Sequence, residues 1–455
     1  MDDFVRILHI ADTHIGADLP RRRRHARPRR GDDFVDRYRN VMRIGLDAGV
    51  DLVIHAGDLF DSPRPSADAI AAAAAPMRDA ASSGVPVVIA PGNHERSAVS
   101  QALPLAHDHI HVLATPRTLL FEVRGLRIAV SGFPCIRRGS AAGFDAALGA
   151  TGWRDQTADV RILVLHQALD SAVCGPAAFR FRTGDDVIDR AAIPTEFDYV
   201  ACGHIHRYQK LRPAERLRPH IVYAGSPDRI SFAERDEPKG CVIAEVGPAR
   251  VAHRFVEHAV RPMSIHPLAV NGRTNDQIME AIAAIVDGLP DNAIAQVRLT
   301  GAAAPDAMKG LRIVENAWRR RPDVIVSVTV RGIEPAGEAN VTSGDARIFA
   351  DVEASRVYRV SAGNASALPA RRGVYAFIDG ADRPLYVGKA ANLRSRVRAH
   401  LSDRTVGNFF DGWIAQATRI EAVLAPDDAA ASALELSLIR RWRPPFNIAG
   451  RLTSA

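Results

Sequence analysis

The chain has 455 residues, 47% of them hydrophobic and 24% charged, with a formal net charge of +7. That balance excludes a disordered or fibrous chain and leaves room for about three folded domains. No apolar run approaches the roughly 20 residues that span a bilayer, so no membrane partner is expected, and the scattered Cys135, Cys174, Cys202 and Cys241 read as free thiols of a reducing compartment, with the cytoplasm as the expected location.

Val5 to Ile10 is a short apolar run that stops at Asp12 and His14. Such a run predicts a buried parallel strand, with polar residues just past its carboxyl end, where open α/β sheets place their ligands. The chain enters this strand within five residues, so no signal peptide is expected. Arg21 to Arg30 follows as a basic run; alone it reads as a solvated face, but one loop from a candidate metal site it is expected to contact phosphate, through Arg21, Arg22, Arg23 and Arg24. Phe34 to Ala48 and Ala67 to Ser82 read as helices, the second ended by Gly84.

The first strand's pattern recurs four times. Asp51 to Ala56 stops at Gly57-Asp58, Val85 to Pro91 at Gly92-Asn93-His94-Glu95, Arg161 to Leu165 at His166, and Tyr199 to Cys202 at Gly203-His204-Ile205-His206. His107-Asp108-His109-Ile110-His111 looks like a metal cluster, but no buried strand precedes it, and it reads as surface histidines. Leu126 to Val130, Ile221 to Tyr223 and Cys241 to Val246 add strands up to residue 255. Residues 256–335 form a small α/β unit without candidate ligands: helices over Gln277 to Ile285 and Ala307 to Trp318, strands over Ala293 to Leu299 and Val324 to Val330. Residues 336–368 read as a linker. Residues 369–455 form a third unit, opened by a hairpin of Gly373 to Ile378 and Leu385 to Lys389 around Asp379-Gly380. A basic helix over Asn392 to Leu401, a strand over Ile420 to Leu424 and a helix running to Trp442 complete it. This last unit has 13 basic and 8 acidic residues, so most of the net charge lies in it.

Asp12, His14, Asp58, Asn93, His166, His204 and His206 are the candidate ligands of the first site. A mixed oxygen and nitrogen set without thiolate suits manganese, iron, zinc or magnesium. Seven ligands are too many for one ion and suit two, with Asp58 as the natural bridge; two ions can clamp the attacking and leaving oxygens of a phosphoryl displacement. His94 is free to donate a proton to the leaving oxygen.

This set resembles the calcineurin-like metallophosphoesterases. The flanks Asp12-Thr13-His14-Ile15-Gly16, Gly57-Asp58-Leu59-Phe60-Asp61, Gly92-Asn93-His94-Glu95, Gly203-His204-Ile205-His206-Arg207 and Gly225-Ser226-Pro227-Asp228-Arg229 resemble the SbcD family of double-strand-break repair nucleases. The resemblance covers residues 4 to about 335 and implies a four-layer α/β sandwich with a DNA-capping unit after 256. It implies that Asp12, His14, Asp58 and His206 hold one manganese, that Asp58, Asn93, His166 and His204 hold the other, and that His94 is catalytic. Asp61 stands where some members carry a second histidine. The family's partner is an SbcC-like ABC-type ATPase, docked through helices after the cap; residues 336–368 show no amphipathic helix pair. A homodimer stays open.

The third unit resembles the GIY-YIG nucleases, in particular the N-terminal domain of UvrC, through Gly373-Val374-Tyr375, Tyr386-Val387-Gly388-Lys389, Asn392-Leu393-Arg394-Ser395-Arg396, Leu434-Glu435-Leu436 and Pro444-Pro445-Phe446-Asn447. The resemblance implies an α+β fold in which Glu435 binds one magnesium or manganese ion and Arg396 holds the scissile phosphate. Tyr375 or Tyr386 would help to activate water, with Lys389 and Asn447 supporting the site. The reading is a DNA repair nuclease with two hydrolytic centres. The alternative is a phosphoesterase acting on a nucleotide or other small phosphate, with the third unit only a DNA-binding anchor.

Overall fold

The computed structural model describes residues 3–18, 30–95, 107–176, 178–212, 219–300, 313–331, 349, 357–361, 367–402, 417–442 and 444. It divides into two compact units, Met1–Pro262 and Met263–Ala455.

The first unit is a sandwich of two six-stranded mixed sheets. In one, β1 (Val5–Ile10), β2 (Leu52–His55), β3 (Val87–Ile89) and β4 (Ile110–Val112) run parallel in that order. The other is centred on three parallel strands, β6 (Leu126–Gly132), β7 (Val160–His166) and β10 (Tyr199–Gly203), with β12 (His220–Tyr223) parallel beside β10. Antiparallel strands lie at one edge of the first sheet and at both edges of the second. β13 (Gly240–Val246) and β14 (Val251–Glu257) extend the first sheet beyond β1, while β5 (Arg117–Val123) and β11 (Gln209–Leu211) flank the second. β8 (Val173–Cys174) and β9 (Phe179–Arg180) form a small separate hairpin.

Alternate residues of β1 serve two cores, which is why its sequence is almost continuously apolar. Val5 and Ile7 face the second sheet, packed with Ile162, Val164 and Ala201. Leu8 and Ile10 face the outer helices α1 (Gly31–Asp47) and α2 (Ala67–Ser82). α1 buries Phe34, Tyr38, Val41, Met42 and Gly45, one apolar stripe at helical spacing. On the far side, α3 (Ser140–Gly149) lays Phe144 and Leu148 over Leu163 and Val200. The result is the expected four layers, helix, sheet, sheet, helix. The expected border at 255 falls inside β14, and the unit runs on to Pro262.

The second unit contains two sheets. One is parallel, in the order β15 (Met263–Ala269), β16 (Ile294–Thr300), β17 (Ile325–Arg331), with α4 (Asn275–Asp287) and α5 (Ile313–Arg320) as crossovers. β15 is not expected from the sequence, because Pro267 argues against a strand; it sits at the sheet edge, where proline is tolerated. The other is antiparallel, in the order β18 (Val357–Ser361), β21 (Ala417–Leu424), β19 (Gly373–Asp379), β20 (Pro384–Ala390). α6 (Leu393–Ser402) contributes Leu393 and Val397 to one core, and α7 (Asp428–Trp442) contributes Ala431, Leu438 and Ile439 to another.

The linker reading of 336–368 is corrected for residues 357–361. β18 pairs with β21 over five residues, Val360 and Val357 pack against the two cores, and Arg359 bonds the buried Glu421 at 3.2 Å. The alternation of Val357, Tyr358, Arg359, Val360 and Ser361 is that of a half-buried edge strand, too short to stand out in a polar stretch. We predict that a fragment beginning at residue 369 is less stable than one beginning at 349, by roughly 4 kcal/mol or more, because it loses Phe349, Val357, Val360 and Leu368 from the cores and one partner of Glu421. Thermal melts of the two fragments measure this; equal melting temperatures would refute it.

Candidate metal centre and a second candidate site

The two sheets bring their strand ends to one point. Asp12 and His14 follow β1, Asp58 follows β2, Asn93 and His94 follow β3, His166 ends β7, and His204 and His206 follow β10. Pairing continues past the strands: Asp12 and His14 donate their backbone N–H to the carbonyls of Gly57 and Asp58 at 2.9 and 3.0 Å. Three overlapping groups have ligand atoms within 4.8 Å of one another: Asp12, His14 and His206; His14, Asp58 and His94; Asp12, Asp58 and His166. Asp12, His14 and Asp58 each appear twice, which gives one continuous centre.

The backbone there is strained in a way the motifs reflect. Asp12, His14, Asp58 and His204 adopt φ of 53°, 47°, 53° and 88°, a region that non-glycine residues seldom occupy. Strain of this kind persists where the surroundings over-determine it, which is common at functional sites. Gly57 has a φ of +96°, and a Cβ at Gly92 would fall on the Asp58 carboxylate. Both glycines are therefore required beside the ligands.

The donor chemistry calls for a cation. His166 Nδ1 donates to the Ala56 carbonyl at 2.7 Å, so its Nε2 is the end that faces Asp58 Oδ2 at 3.2 Å and Asn93 Oδ1 at 3.0 Å, both acceptors. His204 Nδ1 lies 3.0 Å from the same Asn93 oxygen. His206 Nδ1 lies 3.2 Å from Glu234 Oε1, leaving its Nε2 against His14 Nε2 at 3.2 Å and Asp12 Oδ1 at 3.8 Å. Lone pairs facing lone pairs are stable only with protons or metal ions between them.

Without metal, protons fill that role. Burial works against charging His166, but the Asp58 carboxylate beside it raises its pKa to about 10. Burial likewise opposes charge on His206, and Glu234 lifts it to about 9. Burial pushes His204 down to about 3, helped by the neighbouring His166. Burial would raise Asp58, yet His166, His14 and His94 hold it well below the usual carboxylate range.

His94 occupies the rim. Its backbone N–H donates to Asp58 Oδ1 at 2.9 Å, its Nδ1 lies 3.1 Å from the Asp61 carbonyl, and its Nε2 is 4.0 Å from Asp58 Oδ2. Asp61 lies between the two imidazoles: Oδ1 is 3.5 Å from His14 Nδ1 and 3.8 Å from His94 Nδ1.

Two residues of the site have no assignment from the sequence. Glu95 is fully buried and accepts from the backbone N–H of Leu59 and Gly92 at 3.2 and 3.0 Å, tying together two ligand loops; burial and then Asp58 raise its pKa to about 8. Its place directly after His94 is the available signal. Glu234 lies in a short helical turn with no local motif to mark it.

Arg21 to Arg24 lie outside the described residues. Arg30, the last of that run, is not a surface phosphate contact. It is buried, bonded to Asp228 at 3.1 Å and to Asp33 at 3.4 Å. The decoy histidines 107–111 take part in none of the metal-competent groups among the described residues.

In the C-terminal part of the second unit the hairpin forms as expected, with Tyr375 opposite Gly388 and Phe377 opposite Tyr386. The rings of Tyr375 and Tyr386 lie 6.2 Å apart. Burial raises the Tyr375 pKa, with Tyr386 and Glu435 adding to it, whereas Arg396 pulls it down by charge and by a hydrogen bond. Glu435 Oε1 accepts the Lys389 backbone N–H at 3.0 Å, and Lys389 Nζ is tied to Asp428 and Ser432 at 3.0 and 2.6 Å. Tyr375, Tyr386, Arg396 and Glu435 thus share one electrostatic neighbourhood. Asn447 lies outside the described residues.

A family model for the calcineurin-like phosphoesterases matches residues 5–208, and one for the UvrC-like GIY-YIG domain matches residues 371–448. The chain joins a calcineurin-like phosphoesterase domain to a UvrC-like GIY-YIG domain. The phosphoesterase part is similar to the DNA double-strand break repair protein Mre11 of Methanopyrus kandleri, 27% identical over 252 residues, 52% of this chain and 51% of that protein. It is also similar to the SbcD component of the nuclease SbcCD of Bacillus subtilis, 27% identical over 279 residues, 54% of this chain and 68% of that protein. The GIY-YIG domain is similar to the magnesium-bound N-terminal endonuclease domain of UvrC from Thermotoga maritima: 29% identical, covering 19% of this chain and 93% of that one, with a TM-score of 0.17. The chain spans about half the length of the Methanopyrus relative.

The pKa shifts set a pH test. A histidine raised in the folded state stabilises it fully below its unfolded value of 6.5, and this stability is lost as the pH rises through 9 for His206 and 10 for His166. A bound metal needs those imidazoles neutral, so binding releases protons and tightens with pH. We predict that the rise in melting temperature on adding Mn2+ is larger at about pH 8.5 than at about pH 6. Fluorimetric melts with Mn2+ and with EDTA measure it; a shift that shrinks with pH would refute it.

Proposed function

We propose that the chain is a DNA repair nuclease with two hydrolytic centres, a two-ion phosphodiesterase in the first unit and a one-ion GIY-YIG endonuclease in the second. The observation that carries this reading is the set of ligand atoms facing one another at the mouths of the two sheets. Asp12, His14, Asp58 and His206 would hold one ion, and Asp58, Asn93, His166 and His204 the other, with manganese the expected metal. When bound, the ions supply Lewis-acid stabilisation of the charge that develops during phosphodiester hydrolysis.

The chain's own residues supply the rest. Hydrogen bonding of His94 Nδ1 to the Asp61 carbonyl leaves Nε2 to hold and deliver a proton to the leaving oxygen. In the second centre Glu435 would hold the ion. Arg396 would pair with a phosphate, which its planar fork matches. Tyr386 and the buried Tyr375 would position water. DNA as the substrate is supported by the names of the relatives and by the pairing of two nuclease-like domains in one chain. The Bacillus relative is one component of a larger nuclease, which supports an SbcC-like ATPase as partner. Arg21 to Arg24 would add backbone contacts.

Two outcomes follow. His94→Ala should keep its Mn2+ yet lose about 10^2- to 10^4-fold in cleavage of an end-labelled duplex, while Asp58→Ala should lose metal and cleavage together. Loss of Mn2+ from His94→Ala would overturn the proton-donor role. Glu435→Ala or Arg396→Ala should abolish plasmid nicking by the second centre and leave His94-dependent cleavage unchanged. Nicking by Glu435→Ala at the parent rate, measured in an Asp58→Ala background, would remove the second centre from the reading.

A further inference from the structure

Beneath His206 lies a buried polar network that no ligand role accounts for. Lys239 is buried to 1% exposure, and its ammonium meets four acceptors: Glu234 Oε2 at 2.8 Å, the His206 carbonyl at 2.9 Å, Ser226 Oγ at 2.9 Å and Glu237 Oε2 at 3.3 Å. Arg207 closes the network by bonding Glu237 at 3.0 Å. A lysine is rarely buried so completely, and here it faces a carboxylate that itself faces a ligand.

We propose that Glu234 is a positioning residue that sets the tautomer of His206, and that Lys239 sets the orientation of Glu234. This rests on the two-ion reading above. The oxygens of Glu234 have separate duties. Oε1 meets His206 Nδ1 at 3.2 Å and Ser231 Oγ at 3.2 Å; Oε2 meets Lys239 and the Ile230 backbone N–H, at 2.8 and 3.4 Å. Oε1 is an acceptor, so Nδ1 carries the proton and Nε2 presents its lone pair to the centre. A carboxylate behind a metal-bound histidine fixes tautomer and ring orientation in just this manner.

The division of labour yields a test that a simple buried ion pair would not pass. In Glu234→Gln the atom facing Lys239 and the Ile230 N–H must be the amide oxygen, because both neighbours are donors. The amide NH2 then faces His206 Nδ1 and makes it an acceptor. The ring proton moves to Nε2, and the ligand is lost. Replacing Lys239 by methionine as well removes the stronger donor and lets the amide turn its oxygen to His206. Glu237 keeps Arg207 as partner in that double variant.

The measurement is Mn2+ binding to the full chain, followed by electron paramagnetic resonance of the free ion, beside a melt in EDTA to verify folding. Glu435 is untouched, so differences report on the first centre. The proposal expects Glu234→Gln to bind one ion about 10- to 100-fold more weakly while the others are unchanged. It expects Glu234→Gln/Lys239→Met to regain at least about tenfold of that loss. If Glu234→Gln does not fold, two charge-free doubles decide: Glu234→Gln/Lys239→Met should bind that ion more tightly than Glu234→Met/Lys239→Met, which offers His206 no acceptor. Equal affinities in the folded variants overturn the positioning role alone. A parent chain that binds no ion at the first centre overturns the two-ion reading itself.

Discussion

Everything in the first unit depends on one electrostatic constraint: carboxylates and imidazoles gathered where water is scarce must share cations. Burial alone would protonate Asp12 and Asp58 and neutralise the histidines. For Asp58, His166 and His206 the fold prevents this by supplying opposite partners at 3–4 Å, whereas Asp12 stays shifted toward its protonated form and His204 toward its neutral form. Protons satisfy the set in the metal-free protein, and divalent ions satisfy it better, since each accepts several lone pairs at once. The site is therefore a place where the apolar sandwich tolerates charge on condition that the charge is bridged.

The scaffold meets that condition with rigid parts. β1, β2 and β3 lie side by side in one sheet, β7 and β10 side by side in the other, and the two sheets clamp a single apolar layer between them. The candidate ligands lie at the strand ends or within a few residues of them, four of them (Asp12, His14, Asp58 and His204) on backbone held at positive φ, with the loops braced by inter-loop hydrogen bonds and by Glu95. Loops free to relax would abandon such φ values. Here the sheets and the glycines beside the ligands leave them no room to do so.

The second centre answers the same problem with fewer groups. One carboxylate, Glu435, sits at the edge of the core on α7, where a backbone N–H of β20 already satisfies one of its oxygens. Two tyrosines rather than two histidines line the neighbouring strands, and burial keeps both phenols neutral. In the proposed reading a single ion and an arginine fork would balance the charge there, whereas the first centre would distribute it over seven ligands.

Much of this is legible in the sequence. Apolar runs of five or six residues ending in Asp, Asn or His declare a parallel strand and its ligand together, because burial on both faces forbids charge until the strand ends. That logic marks Asp12, His14, Asp58, Asn93, His166, His204 and His206 as residues that meet at one place, whereas the four layers around them are implied by the family resemblance and not by the strand pattern. The Tyr375 and Tyr386 hairpin is legible for a local reason, since its turn fixes its register. What tertiary structure alone decided was long-range partnership. Arg30 belongs to a basic run, yet it is buried against Asp228, 198 positions away. Val357 to Ser361 reads as linker and becomes an edge strand only because β21, some 60 residues later, offers a register and Glu421 a charge. Glu234 and Lys239 carry no motif at all; what they do follows from a fold that buries an ordinary Glu and Lys under a histidine that must keep its proton on the right nitrogen.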